Sequence, residues 1–254
     1  VTRLVADSGL VTKVVPSPNQ NERRDGRRPD MILLHYTGMK DAGAALQRLA
    51  NPLAEVSAHY LVFEDGRVFQ MVPEAARAWH AGVGTWRGDT DINTASIGIE
   101  IANPGHDWGY ADFPDPQVRA IAALCRDIAG RHGIVPHRIL AHSDVAPKRK
   151  ADPGEKFPWD ILAAAGVGHW VPPAPLGDGR SFARGDEGQP IQALQAMLGL
   201  YGYGLDITGV FDDTTEAVVT AFQRHFRPAR VDGVADASTI LTLRNLLGAL
   251  PGAA

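Results

Sequence analysis

A chain of 254 residues, 44% hydrophobic and 21% charged, is long enough for one large core or two modest ones. A net charge of −4 with no long run of Lys or Arg excludes the electrostatic footprint of a nucleic-acid binder. No stretch approaches the ~18 consecutive apolar residues of a membrane span, and a single cysteine, Cys125, rules out a disulfide within the chain.

The first residues, Val1-Thr-Arg-Leu-Val-Ala-Asp7, show no apolar core followed by a small-residue cleavage site. Met31 to Tyr36 is an apolar run of strand length, and alternation puts Met31, Leu33 and His35 on one face. Ala42 to Ala50 reads as a short helix. Tyr60–Phe63 and Arg67–Val72 flank Glu64-Asp65-Gly66, a hairpin signal. Ser96 to Ala102 alternates: Ile97, Ile99 and Ile101 face one way, and Gly98, Glu100 and Ala102 the other. Gln117 to His132 carries Ile121, Leu124, Cys125 and Ile128 at helical spacing, with Gly133 placed to stop the helix. Ile139 to His142 reads as a further strand, and Pro158 to Ala165 as a helix. Strands interleaved with helices, plus one hairpin, predict an α/β fold: a mixed β-sheet flanked by helices.

Composition breaks at Val171-Pro-Pro-Ala-Pro-Leu-Gly-Asp-Gly-Arg180, a Pro/Gly-rich run read as a semi-rigid linker. Two domains are therefore expected, residues 1–170 and 181–254. In the second, the pattern Gly-Val-x-Asp-x-x-Thr occurs at Gly209–Thr215 and again at Gly233–Thr239, each Asp placed as a helix N-cap. With an earlier helix carrying Ile191, Leu194 and Leu198, these predict a small three-helix domain.

Among nine histidines, His35 and His142 stand out because each ends an apolar strand, where side chains of neighbouring strands converge. His106, His132, His137, His169 and His225 read as ordinary surface or half-buried residues. Two imidazoles and one carboxylate leave a zinc ion an open fourth position for water. Spacing alone leaves the carboxylate open between Asp144 and Asp152, and Asp144 is equally compatible with a ligand, a support or a turn-former. Lys150 lies two residues before Asp152, suited to a developing negative charge.

Five motifs follow one another in order: Ile32-Leu-Leu-His-Tyr-Thr-Gly38, Val56-Ser-Ala-His-Tyr-Leu61, Ala78-Trp-His-Ala-Gly82, Ser96-Ile-Gly-Ile-Glu-Ile101, and Ala141-His-Ser-Asp-Val-Ala-Pro147 with Lys150-Ala-Asp-Pro-Gly154. Over residues 15 to 170 the chain thus resembles the type 2 N-acetylmuramoyl-L-alanine amidases, AmpD-like zinc enzymes related in fold to peptidoglycan recognition proteins. The resemblance implies zinc ligands at His35, His142 and Asp152, a catalytic carboxylate at Glu100 and its partner at Lys150, and it leaves Asp144 a supporting role. It implies hydrolysis of the amide joining N-acetylmuramic acid, or its 1,6-anhydro form, to L-alanine, in peptidoglycan or muropeptides. Tyr36, His59, Trp79 and His80 lie inside the motifs as candidate groove residues, with Asn103 and Arg87 nearby. Ile191-Gln-Ala-Leu-Gln195, Gly202-Tyr-Gly204, Gly209–Val218 and Ala221-Phe-Gln223 resemble the helical peptidoglycan-binding domain appended to many wall hydrolases. A monomer is expected. The start of the chain, with Pro16-Ser-Pro-Asn19 already similar to the family's N-terminal run, favours the cytoplasm, whereas a wall-binding module favours the envelope. A non-catalytic recognition protein and a zinc peptidase acting on the stem peptide are the alternative readings.

Overall fold

The computed structural model describes residues 5–251, so the outermost residues of the two expected domains, 1–4 and 252–254, lie outside it. In chain order the elements are β1 (Lys13–Val14), β2 (Gln20–Glu22), β3 (Met31–Tyr36), α1 (Ala42–Ala50), β4 (Tyr60–Val62), β5 (Val68–Gln70), β6 (Ala76–Ala78) and α2 (Ile92–Ala95). They continue with β7 (Ser96–Ile101), α3 (Asp115–His132), β8 (Ile139–Ala141), α4 (His142–Val145), α5 (Trp159–Ala164), α6 (Gln189–Tyr201), α7 (Asp213–Phe226) and α8 (Ala237–Gly248).

Six strands form one mixed sheet in the order β1-β5-β4-β7-β3-β8. The middle strands β4, β7, β3 and β8 run parallel, and β5 returns antiparallel to β4 as the hairpin signal requires. Strand alternation decides what each face carries. Ile32, Leu34, Ile97, Ile99 and Ile101 point to one side, against Val118, Ile121, Leu124, Cys125 and Ile128 of α3. Cys125 is fully buried there, and burial pushes its thiol up to about 12, so it is a packing residue and not a nucleophile. On the other side Leu61, Phe69 and Met71 pack with Leu49 of α1, while Met31, Leu33 and Leu140 meet a second cluster.

That second cluster is built largely from the C-terminal helices: Leu194 and Leu198 of α6, Phe222 and Phe226 of α7 and Leu243 and Leu246 of α8 pack with Trp86, Ile92 and Val145. Asp212 and Asp236 cap α7 and α8 as their spacing predicted, accepting from Thr215 N–H and Thr239 N–H. The two copies of the repeat share a feature not read from the sequence. Gln195 and Gln223 each accept from the loop glycine N–H (Gly209 or Gly233), and each donates to the carbonyl of the following valine and to the hydroxyl of Thr215 or Thr239. The run 171–180 has no regular structure but is strapped to α8: Ala174 N–H donates to Thr242 Oγ1, and Ser238 Oγ donates to Ala174 O. Among the described residues no helix is long and apolar enough to cross a membrane.

Candidate active site

Parallel strands end together, and β7, β3 and β8 are consecutive in the sheet. Register pairs His35 with Glu100, and Leu34 with Ala141, the residue before His142. One sheet edge therefore presents His35, Glu100 and His142 side by side, at the carboxyl ends where open α/β sheets place their sites. The loop after α4 brings Asp152 back to them, tied by Ser143 N–H to Asp152 O at 3.0 Å.

His35 Nδ1, His142 Nδ1 and Asp152 Oδ2 form a buried triangle with sides of 2.9, 2.9 and 3.1 Å. The outer nitrogens of the two rings are held from behind. His142 Nε2–H donates to Ala81 O at 2.9 Å, which leaves its Nδ1 lone pair facing the centre. His35 Nε2 lies 3.0 Å from His80 Nδ1, and His80 Nε2 lies 3.4 Å from Ser96 Oγ, whose hydroxyl donates to Ile92 O. Read back from that carbonyl, the protons run His35 to His80 to Ser96, so His35 also turns a lone pair inward. Three acceptors thus face one another, and among the described residues no donor outside the trio reaches them. A cation satisfies such a set, and two imidazoles with one carboxylate is a zinc donor set. The residues fit the ion.

Charge and burial agree with that fit. Burial, helped by the neighbouring His142, pushes His35 down to about 4, so its ring is neutral at pH 7 and able to ligate. Burial would raise Asp152, but whenever the His142 and His35 rings turn protons toward it they outweigh that and hold the carboxyl well below the usual range. With their lone pairs inward, the same stabilising positive charge has to come from a cation. Glu100 differs: burial first, then the charge of Asp152, raises it well above an ordinary carboxylate, opposed by the Lys150 ammonium. Its Oε2 is enclosed without a hydrogen-bond partner.

These groups open into a groove of about 480 Å³ lined by Tyr36, Trp79, His80, Glu100, Lys150 and Asp152 among others. His59 and Asn103, expected beside them, do not line it. His59 is fully buried beside His80, with 5.7 Å between ring centroids, accepting from Gly98 N–H at 2.9 Å and donating to Ala76 O at 3.1 Å. Asn103 is spent on the loop that follows β7, donating to Ala111 O and accepting from Gly105 N–H. Arg87 turns to the C-terminal helices, where its N–H donates to Gly202 O. Asp144 is fully buried and, as expected of a support, accepts from Ala141 N–H at 2.8 Å. His225, read as an ordinary polar residue, is 2% exposed and bonded to Asp144.

Groove residues that the sequence did not single out are Arg48, Arg149, His106 and Asp107. Arg149 stands in the Lys148-Arg-Lys150 run and donates to Ala81 O, the carbonyl that also receives His142. Nothing in the spacing of α1 marks Arg48. Asn93 was also unmarked; its side-chain oxygen receives the N–H groups of His80 and Ala81 and so places both.

The profile of the N-acetylmuramoyl-L-alanine amidase family matches residues 25–155, a span containing His35, Glu100, His142, Lys150 and Asp152, and that of a putative peptidoglycan binding domain matches residues 187–243. N-acetylmuramoyl-L-alanine amidase AmiD of Escherichia coli K12 is 37% identical over 225 residues, 84% of this chain and 80% of AmiD. The chain belongs to the N-acetylmuramoyl-L-alanine amidases. The solved complex of E. coli AmiD with anhydro-N-acetylmuramic acid-L-Ala-D-gamma-Glu-L-Lys superposes on this amidase with a TM-score of 0.73 at 33% identity, covering 89% of this chain and 91% of that one. AmpDh3 of Pseudomonas aeruginosa, solved with an anhydromuramic pentapeptide, gives 0.74 at 30% identity, covering 91% and 96%. The 1,6-anhydro-N-acetylmuramyl-L-alanine amidase AmpD of Citrobacter freundii is 31% identical over 61% of this amidase and 91% of its own length, so AmpD is the shorter protein.

Proposed function

We propose that His35, His142 and Asp152 hold one zinc ion, and that Glu100 and Lys150 act beside it to hydrolyse the amide between N-acetylmuramic acid and L-alanine. The observation that carries this reading is the triangle of inward-facing donor atoms next to an enclosed, unpartnered carboxylate oxygen. When bound, zinc supplies an activated water and a Lewis acid for the amide carbonyl.

The remaining chemistry belongs to the chain. Glu100, raised by burial, is suited to take a proton from the attacking water and return it to the departing alanine amine. Lys150, which also lines the groove, is suited to meet the oxyanion that forms at the carbonyl carbon. Tyr36, Trp79 and His80 offer ring surfaces to the sugar and the head of the stem peptide, while Arg48 and Arg149 offer positive charge to its carboxylates.

Solved complexes of the relatives with anhydro-muropeptides support a soluble 1,6-anhydro-muropeptide as one substrate. The region after residue 180, matching a wall-binding profile, supports intact peptidoglycan as another and the cell envelope as a place of action; hydrolysis confined to the soluble fragment fits a cytoplasmic role in recycling. We read this region as a wall-binding unit joined through 171–180 to the catalytic one, in a protein that acts as a monomer.

Product analysis by mass spectrometry tests the reading, using sacculi and an anhydro-muropeptide with and without a zinc chelator. Free stem peptide with an N-terminal L-alanine, lost on chelation and restored by zinc, is the expected result. Cuts inside the stem peptide would make the enzyme a peptidase. No cleavage by the zinc-loaded protein would make it a recognition protein.

A further inference from the structure

We infer that Tyr203 and His225, both from the C-terminal helical region, are positioning residues for the His142 arm of the metal site, acting through Asp144. The inference rests on the reading of His142 as a zinc ligand and extends the site beyond the catalytic part of the chain.

Asp144 lies two residues past His142 in the single turn of α4. Its carboxylate is used on both oxygens. Oδ1 accepts from Tyr203 Oη–H at 2.7 Å; Oδ2 accepts from His225 Nδ1–H at 2.6 Å and from the N–H of Ala141, which immediately precedes His142, at 2.8 Å. One buried side chain therefore ties the junction of β8 and α4 to two side chains more than fifty residues further along.

Both partners are fixed in turn. The His225 ring stacks on Trp159 and on Phe226, with 3.7 Å between centroids in each case. Tyr203 sits in a bridge to Trp86, flanked by glycines that leave room for the Thr85 and Trp86 side chains: a Cβ on Gly204 would lie 2.1 Å from Thr85 Cγ2. A second contact follows the same route, since Arg224 of α7 approaches Glu155, three residues after Asp152, at 3.7 Å.

A role in filling space alone does not account for this choice of residues. Apolar side chains would fill the same volume without the cost of burying a carboxylate, a phenol and an imidazole. What the polar set adds is direction: it fixes the main chain at Ala141–His142 while Ala81 O fixes the outer edge of the His142 ring. The distance from His142 Nδ1 to the other two donor atoms is then determined from both ends. Supports of this kind change metal affinity by about 10–100-fold when removed.

The test uses the full chain and compares Tyr203→Phe, which deletes one hydroxyl, with the double variant Tyr203→Phe/His225→Leu. Leu194→Ala, in the same shared core but away from Asp144's bonds, serves as the stability control. Zinc affinity is measured by chelator competition, and geometry by the visible spectrum of the cobalt(II) form. The expected result is an affinity loss of about 10-fold or more in the double variant with an altered cobalt spectrum. Tyr203→Phe should show a smaller loss, and Tyr203→Phe/His225→Asn, which keeps a donor near the place of Nδ1, should recover most of the further loss seen in the double variant. Wild-type affinity and spectrum in Tyr203→Phe and the double variant, or an equal affinity loss in Leu194→Ala at matched Tm, would overturn the inference. Absence of stoichiometric zinc binding by the wild type would instead remove the metal reading on which it stands.

Discussion

Glu100, the proposed proton carrier, shows how one position on a strand can be equipped as a reagent. Its neighbours Gly98 and Ala102 leave space on its face, and its register partner is His35. Glu100→Gln keeps the shape and removes the proton carrier, so turnover should fall by about 10²–10⁴ while zinc content stays at the wild-type level; near-normal rates would take Glu100 out of the mechanism. His59 carries the opposite lesson, a histidine inside a family motif that serves the fold. Because Gly98 N–H donates to its Nδ1 and its Nε2–H is given to Ala76 O, a second proton has nowhere to go. Burial, with the Arg23 charge, pushes this ring down to about 3. In the unfolded chain the same ring titrates near 6.5. The unfolded state therefore binds a proton that the folded state refuses, and stability should fall as pH drops from about 6.5 toward 3, by up to about 1.4 kcal/mol per unit from this group. Urea midpoints between pH 6.5 and 4.5 should slope less steeply in His59→Gln than in the wild type at equal zinc loading. Equal slopes would mean that the acid sensitivity arises elsewhere.

At the scale of elements, β7 is the strand on which the site depends. Its isoleucines face α3, and its small residues face the site, where a Cβ on Gly98 would lie 2.5 Å from the His80 ring. Gly98→Ala should displace His80, and with it the ring that orients His35. The expected cost is about 1–3 kcal/mol in denaturant unfolding, with weakened zinc binding; a variant with unchanged zinc affinity would show that His80 can move without disturbing His35. Alternation over Ser96–Ile101 made this two-sided strand legible beforehand, as helical spacing did for α3 and the Asp caps did for α7 and α8. Periodicity reports that a face is apolar or small, and local chemistry reports a cap. Neither reports which distant group will fill the space. That is why His80 against Gly98 and Asp144 beneath His225 emerge only in three dimensions, and why His35, Glu100, His142 and Asp152 needed several motifs in register before the choice between Asp144 and Asp152 could be made. Gln195 and Gln223 were hidden for the same reason, since a glutamine on a helix reads as solvated until the loop it holds is folded over it.

For the molecule as a whole, the Pro/Gly-rich run at 171–180 reads as a semi-rigid linker between two domains, and one hydrophobic cluster is shared by the residues on its two sides. Met31, Leu33, Trp86 and Leu140 on one side are fully or almost fully buried together with Leu198, Phe222 and Leu243 on the other. Each such side chain contributes about 1.5–3 kcal/mol by leaving water, and exposing the sheet side of this cluster would forfeit several of those contributions at once. Neither part can unfold without stripping the other, so calorimetry of the full chain should show one transition with equal calorimetric and van't Hoff enthalpies. Leu198→Ala, on α6 and outside the catalytic family match, should lower that single Tm as a core cavity worth about 2–5 kcal/mol does. Two resolved transitions, with Leu198→Ala moving only one of them, would show instead that the C-terminal helices fold independently of the sheet they cover.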